Sequence, residues 1–224
     1  MSNPNLSVVI PVFNGARYLG EAIESVYREC TEPLQVIVVN DGSTDRSEQV
    51  ARQYGGVAVL NQLHCGVAAA RNSGMRAATT EFVGFHDADD ICLAGRFDRQ
   101  MQLLRQYPYL DFCLTKIESF IEPNEPVPAE LTTAEVLQPR MGFVSTAVMR
   151  RRFFEQSMQF DETLSSGEDI EWLIRADRSS ARYCVLTDIL VRRRIHASNI
   201  SGNIALHHKA LFAILRSAAK SRSS

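Results

Sequence analysis

Residues 36–45 read VIVVNDGSTD, and residues 8–14 read VVIPVFN. In each stretch a run of β-branched residues is followed directly by residues that are typical of turns. A strand that is apolar on both faces belongs in a sheet that is covered on both sides, as parallel sheets flanked by helices are. The two stretches therefore predict central strands whose carboxyl ends carry polar side chains.

The same pattern continues through the first half of the chain, where β-rich segments alternate with helix-like segments. Strands are predicted at residues 6–10, 34–40, 57–61, 81–85 and 110–115, and helices near residues 15–29, 44–54, 66–78 and 93–106. This alternation predicts an α/β fold with a Rossmann-like, mostly parallel central sheet flanked by helices.

The alternation breaks over residues 118–139, where prolines are interleaved with acids and a connector or a lid is expected. Beyond it we predict a strand at 143–149, helices at 151–157 and 168–179, and an extended segment at 183–193. A helix is predicted at 203–220 as a C-terminal appendage. We therefore assign residues 1–202 to one domain and residues 203–224 to a C-terminal helix and tail.

The composition argues against several classes of protein. A net charge of -2, with basic residues spread along the chain, argues against a nucleic-acid partner. The apolar runs are too short to span a bilayer, and residues 1–5 lack a signal pattern. Five cysteines without a C-x-x-C pair indicate neither a disulfide framework nor a zinc ribbon, so a cytoplasmic location is expected.

Residues 87–90 read DADD at the end of the fourth predicted strand. Three carboxylates in four residues repel one another unless a cation or strong donors lie between them. Carboxylate oxygens suit Mg²⁺ or Mn²⁺, which fill their remaining positions with water and substrate phosphates. The segment therefore favours a metal site for a diphosphate-bearing substrate. The alternative is a solvated acidic turn that caps the helix after Ile91.

Two other polar features have both a functional and a local explanation. Asp41 could bind a ligand, but Ser43 or Thr44 could equally cap the next helix, with Asp45 at its positive end. Arg71 lies on a predicted helix of small residues, where another group can approach closely, and it could serve a diphosphate. The alternative is a surface arginine without a partner.

Four strings in this order, at residues 8–14, 39–45, 66–72 and 87–90, resemble the inverting glycosyltransferase family 2. The resemblance runs from about residue 6 to about residue 201. It implies a GT-A fold for the domain at 1–202, which binds a nucleotide sugar across the ends of the first strands. It also implies a nucleoside-diphosphate sugar as donor, with uridine as the expected base.

The resemblance implies roles for individual residues. Those implied to bind the nucleotide sugar are Pro11, Phe13, Asn14, Asp41, Arg71 and Asp87. In this interpretation Pro11 and Phe13 line the base pocket with Asn14 beside them, Asp41 reads the base, and Arg71 faces the base or the diphosphate. Asp89 is implied as the principal metal ligand. Asp87 is directed to the ribose or the metal, and His196 to the metal or a phosphate, although His196 could equally be an uninvolved loop residue.

Residues 166–172 read SGEDIEW and resemble the Glu-Asp motif that supplies the catalytic base of this family, which implies Asp169 as the base. Ser165 and Glu168 also have the spacing of a capping box, so a helix is expected to begin there. We expect the helix N-terminus to lower the pKa of Asp169 and keep it ionised.

The implied reaction is a metal-dependent, inverting transfer of a sugar to an acceptor hydroxyl on a glycan or a lipid-linked sugar. The absence of a Q-x-x-R-W motif favours single additions. The rival classes are a sugar nucleotidyltransferase, which predicts a glycine-rich basic loop after Ile10, and a non-catalytic sugar-nucleotide-binding relative. A dinucleotide-dependent oxidoreductase would need G-x-G-x-x-G after the first strand, and the chain lacks it.

The predicted C-terminal helix has apolar residues toward one side and basic residues elsewhere. Packing against the domain explains this pattern. A weak peripheral contact with the inner face of the membrane, where lipid-linked acceptors could lie, is the alternative.

Overall fold

The structure is a computed structural model that describes residues 4–123, 125, 127, 138–141, 143–155 and 158–197. The predicted helix at 203–220, the boundary between residues 202 and 203 and most of the 118–139 connector lie outside these ranges. The membrane contact predicted for the C-terminal helix lies outside them too.

The first half of the chain has the predicted alternation of strands and helices. The elements are β1 (Leu6–Val12), α1 (Leu19–Arg28), β2 (Leu34–Asp41), α2 (Ser47–Arg52), β3 (Val57–Gln62), α3 (Val67–Ala77) and β4 (Phe82–Phe85). β1 lies between β2 and β4, β3 lies beyond β2, and all of these strands pair in parallel. The predicted parallel α/β core is confirmed.

The second half adds shorter elements and one long strand. They are β5 (Ile91–Cys92), α4 (Arg96–Gln106), β6 (Phe112–Ile121), β7 (Arg140–Met141), β8 (Val148–Arg150), α5 (Arg151–Glu155), α6 (Glu168–Arg178) and β9 (Tyr183–Ile195). The predicted helices at 151–157 and 168–179 and the extended segment at 183–193 correspond to α5, α6 and β9.

The described strands form one mixed sheet in the order β3-β2-β1-β4-β8-β6-β9-β5, with β7 paired to β6. β8 is antiparallel to both β4 and β6, so β6 runs in the same direction as β4, and β9 is parallel to β6. The carboxyl ends of β1, β2, β4, β6 and β9 therefore lie along one edge of the sheet. Ligands of open α/β sheets bind at such an edge.

Two of the predicted boundaries are wrong, whereas others differ by a few residues. A 3-10 turn at Val144–Thr146 replaces the first part of the predicted 143–149 strand, because Thr146 donates from both its amide and its hydroxyl to the Phe143 carbonyl at 2.8 Å. The strand begins only at Val148. Residues 118–121, predicted as connector, continue β6 because they pair in register with β9.

Both faces of the sheet are covered, as the apolar strands predicted. On β1, Val9 packs in one core cluster while Val8 and Ile10 pack in the other. Helix α3 approaches β1 so closely that a Cβ added to Gly74 would lie 2.2 Å from Val9 Cγ1. A side chain larger than hydrogen at this position would push the helix away from the strand.

Among the described helices, none combines the length and apolarity needed to cross a membrane. The cytoplasmic location inferred from the composition stays a prediction.

Candidate active site

The end of β1 carries Pro11, which is buried, and then Phe13, which is 46% exposed. The carbonyl of Val9 accepts a hydrogen bond from His86 N at 3.0 Å, so odd-numbered residues of β1 turn their backbone polar groups toward β4. Pro11 lies on that side, past the last paired residue of β4. Pro11 has no N–H, but β4 has no paired residue opposite it, so no hydrogen bond between the two strands is lost. A proline is therefore tolerated at this position of a central strand.

One face of Phe13 is stacked on His64, with ring centroids 3.9 Å apart and an angle of 20° between the rings. His64 in turn places Nδ1 2.8 Å from Asp41 Oδ2. The pair lies beyond the ends of β1 and β3 with much of both side chains exposed. The base-stacking role implied for Phe13 stays a prediction.

Asp41 ends β2 and is 2% exposed. Its oxygens accept hydrogen bonds from Gln62 Nε2 at 2.7 Å and from the amides of Cys65 and Gly66, each at 2.9 Å. The neighbouring Gly42 has φ of +73°, and a Cβ there would lie 2.7 Å from His64 N. Asp41 therefore holds the loop that leads into α3, and its base-reading role stays a prediction.

Asn14 joins the loops that follow β1 and β2. Its side-chain Oδ1 accepts a hydrogen bond from the backbone amide of Thr44 at 2.8 Å, and its backbone amide donates to Ser43 Oγ at 2.9 Å. Helix α2 begins only at Ser47, whose amide donates to Asp45 Oδ1 at 2.9 Å. The expected cap at Ser43 or Thr44 is therefore wrong, because both residues are used in the junction with Asn14.

Arg71 is 5% exposed, so the surface alternative is wrong. Its guanidinium donates from one terminal nitrogen to Glu168 Oε1 at 2.6 Å and from the other to Asp87 Oδ1 at 3.2 Å. Burial by itself lowers the pKa of Arg71, but the carboxylates of Asp87, Glu168 and Asp169 outweigh it and raise the pKa. Arg71 thus joins the end of β4 to the start of α6.

The acidic segment that follows β4 is partly buried. Burial raises the pKa of Asp87, with Arg71 opposing this effect and Asp89 adding to it. Asp90 is 4% exposed, and burial together with Asp89 and Asp87 raises its pKa well above the usual range. The solvated-turn alternative is wrong, since Asp90 is buried and the segment leads into β5, while α4 begins only at Arg96.

Asp89 lies next to a residue 107 positions away in the chain, with Oδ2 3.0 Å from His196 Nε2. The pair offers one carboxylate oxygen and one imidazole nitrogen side by side, and both donor types suit a divalent cation. Within the described ranges there is no group of three or more His, Cys, Asp or Glu residues that could hold a metal. The residues therefore fit a cation only if a ligand such as a diphosphate completes its coordination.

Asp169 lies in the first turn of α6, which begins at Glu168 after Gly167. No side chain caps this helix, so the predicted capping box is wrong, and Glu168 pairs with Arg71 instead. Burial, followed by the charge of Glu168, raises the pKa of Asp169, while Arg71 lowers it. The predicted lowering by the helix end is therefore wrong, because desolvation of the carboxylate outweighs the helix dipole.

The structure brings Arg71, Asp87, Asp89, Asp169 and His196 to one stretch of the sheet edge. Asn14 and Asp41 lie at the same edge, but their oxygens are engaged with neighbouring loops.

Three residues that shape the site were not predicted from the sequence, namely His64, Glu168 as the partner of Arg71, and the buried Arg194. For Arg194 a signal was available, since three consecutive arginines, Arg192 to Arg194, stand between Val191 and Ile195 near the end of β9.

Comparisons with known proteins point to one family. Residues 7–172, well over half of the chain, match the model of the family described as Glycosyl transferase family 2. An uncharacterized glycosyltransferase, EpsJ of Bacillus subtilis, is 27% identical, with 88% of this chain aligned to 63% of EpsJ. EpsH of the same organism is 35% identical, with 95% of this chain aligned to 66% of EpsH.

Among solved structures, the crystal structure of S. aureus TarS 1-349 in complex with UDP-GlcNAc matches with a TM-score of 0.72 and 22% identity. The match covers 88% of this chain and 60% of that one, and it confirms the α/β GT-A fold. The chain thus spans about two thirds or less of the length of these proteins. Given the family match and the shared fold, the chain belongs to glycosyl transferase family 2.

Proposed function

We propose that the chain transfers a sugar from a nucleoside-diphosphate sugar, with UDP as the expected nucleotide, to an acceptor hydroxyl with inversion of the anomeric carbon. One observation carries the proposal. Arg71 bonds both Asp87, which follows β4, and Glu168, which precedes Asp169 on α6. Arg71 thereby holds Asp87, on the side proposed for the leaving group, close to the first turn of α6. That turn carries Asp169, which is proposed to take the acceptor proton.

On the leaving-group side, Asp89 and His196 are the residues that would hold a divalent cation, Mn²⁺ or Mg²⁺. When bound, such a cation would neutralise negative charge on the departing diphosphate. Arg71 adds a fixed positive charge beside Asp87, inside a buried environment where charges act strongly. These residues orient the donor and lower the cost of separating the nucleotide from the sugar.

On the acceptor side, Asp169 takes the proton of the attacking hydroxyl. Its raised pKa makes the ionised carboxylate a stronger base than an exposed aspartate. As the hydroxyl oxygen bonds to the anomeric carbon, the bond from that carbon to the diphosphate breaks on the opposite face. The displacement is a single step, so the configuration inverts and no sugar is attached to the protein.

The donor class is supported by the crystal structures of S. aureus TarS 1-349 in complex with UDP and with UDP-GlcNAc. A glycan or a lipid-linked sugar is the proposed acceptor, and single additions are proposed because a Q-x-x-R-W motif is absent from the sequence.

The test is incubation of the protein with a panel of nucleotide sugars, in Mn²⁺ and in a chelator, with the released products identified. We expect nucleoside diphosphate in Mn²⁺ and little in chelator, and we expect Asp89→Ala to weaken metal-dependent donor binding. Release of pyrophosphate would instead indicate a nucleotidyltransferase. A thermal shift with a nucleotide sugar but no release, with or without acceptor sugars, would indicate a non-catalytic binding relative.

A further inference from the structure

Arg194, near the end of β9, is a buried arginine that contacts the acidic segment of residues 87–90. Its side chain is 1% exposed. Its Nε donates to the main-chain carbonyl of Asp89 at 3.0 Å, across 105 positions of sequence. Its backbone amide donates to Asp90 Oδ1, also at 3.0 Å. One residue of β9 thus bonds two consecutive residues of the segment.

The guanidinium of Arg194 is held from several directions that do not involve Asp89. It pairs with Glu21 in the first turn of α1 and with Glu122 just after β6. Its central carbon lies 4.8 Å from the ring centroid of Tyr18 and 4.9 Å from that of Phe120. Several contacts at the start of α1 and the end of β6 therefore hold the guanidinium, in addition to its bond with Asp89.

His196 follows two positions later, just past the end of β9, and both side chains contact Tyr18. The centroid of the Tyr18 ring lies 4.8 Å from the central carbon of the Arg194 guanidinium and 4.8 Å from the centroid of the His196 ring. Arg194 bonds the main chain of Asp89, while His196 lies 3.0 Å from its carboxylate. Asp89 is thereby held both at its backbone and at its side chain by alternate residues of one segment.

We propose that Arg194 is a positioning residue, which fixes the backbone of Asp89 so that its carboxylate faces the donor diphosphate and its cation. The inference rests on the proposed function, because it takes Asp89 as the residue that serves the leaving group. In this proposal Arg194 acts through Asp89, because its own side chain is only 1% exposed. Partners that orient a metal ligand in this way commonly contribute about 10- to 100-fold to metal affinity.

The test is Arg194→Lys, which keeps the positive charge for Glu21 and Glu122 but removes the Nε that donates to Asp89. We expect the dissociation constant for Mn²⁺, measured by electron paramagnetic resonance with Mn²⁺ alone and with UDP, to rise about tenfold. Amide hydrogen exchange of residues 87–92 in the metal-free protein should become faster. The melting temperature should change by less than about 3 °C.

Glu21→Gln is the matched control, because it removes an ion pair from the same buried cluster and leaves the Arg194 contact with Asp89 in place. We expect its Mn²⁺ affinity to stay within about twofold of the unchanged protein. Arg194→Met, which removes the charge as well, should weaken Mn²⁺ binding at least as much as Arg194→Lys.

Two results would overturn the proposal. One is unchanged exchange of residues 87–92 together with unchanged Mn²⁺ affinity in Arg194→Lys. The other is an equal loss in Glu21→Gln with a parallel fall in melting temperature, which would assign Arg194 to fold stability alone. Neither readout needs turnover, so a protein that releases no nucleoside diphosphate would defeat the proposed function separately. If the unchanged protein binds no Mn²⁺, the exchange of residues 87–92 decides.

Discussion

The two ends of the candidate site are built in different ways. At the ends of β1 and β2, Asn14 and Asp41 accept hydrogen bonds from amides of nearby loops, at sequence separations of about 25 to 30 residues. At the ends of β4 and β9 and the start of α6, acidic residues are held by buried arginines and a histidine across about 100 residues, through their carboxylates and through the main-chain carbonyl of Asp89.

The difference separates two ways of holding a carboxylate in place. Backbone amides and the Gln62 side chain satisfy the oxygens of Asp41 within the protein, so this carboxylate needs no ligand to complete its hydrogen bonds. The second region gathers Asp87, Asp89, Asp90, Glu168 and Asp169 around few cations, and burial raises the pKa of three of these acids. That imbalance is the electrostatic signature expected where charge develops during a reaction.

The strongest test of this contrast is Asp169→Asn. Because the amide cannot accept the hydroxyl proton, turnover should fall by about 10³-fold, while UDP binding stays within about twofold. Product release and calorimetric UDP titration measure the two effects. Asp177→Asn, an exposed change on the same helix, should leave both unchanged. Turnover within tenfold of the unchanged protein would remove Asp169 from the role of base.

A second test is Asp41→Ala, which leaves the amides of Cys65 and Gly66 without their acceptor. We expect the free energy of unfolding in urea to fall by about 2 to 4 kcal/mol. As a control, Asp188→Ala removes an exposed ion pair with Arg99 and should cost less than about 1 kcal/mol. If Asp41→Ala abolishes UDP binding without loss of stability, Asp41 is a ligand residue and the contrast between the regions fails.

The smallest expected effect concerns pH. Asp169 must be ionised to act as the base, so kcat/KM falls as the pH drops through the pKa of Asp169. This fall is the acid limb of the pH profile. Burial and the charge of Glu168 raise the pKa of Asp169. Glu168→Gln removes one raising charge and releases Arg71 toward Asp169, so the limb should move to lower pH. Glu171→Gln on the same helix should leave it in place. A limb that moves to higher pH in Glu168→Gln would contradict the assignment.

The fold was largely predictable because its evidence is local. Continuous apolar runs such as residues 36–39 identify strands with both faces buried, and each long strand and helix of the first half lies close to its predicted position. Boundaries failed where local chemistry was ambiguous. Residues 143–149 are apolar enough for a strand, but the hydrogen bonds of Thr146 close a turn within them.

The candidate site was predictable in position but only partly in arrangement. The location of Asp41 and Asp87 at strand ends follows from strand prediction alone. Glu168 has the spacing of a capping box, and only its contact with Arg71 shows that its carboxylate is used elsewhere.

By itself, the sequence determined the α/β class, the covered sheet and the edge at which the acidic residues collect, because apolar periodicity and turn residues act over short distances. Only the tertiary structure decided that Arg71 joins Asp87 to Glu168, that Arg194 and His196 hold Asp89, and that the pKa of Asp169 is raised. The reason is physical. Desolvation and charge pairing depend on contacts between residues far apart in the chain, and no local pattern encodes them.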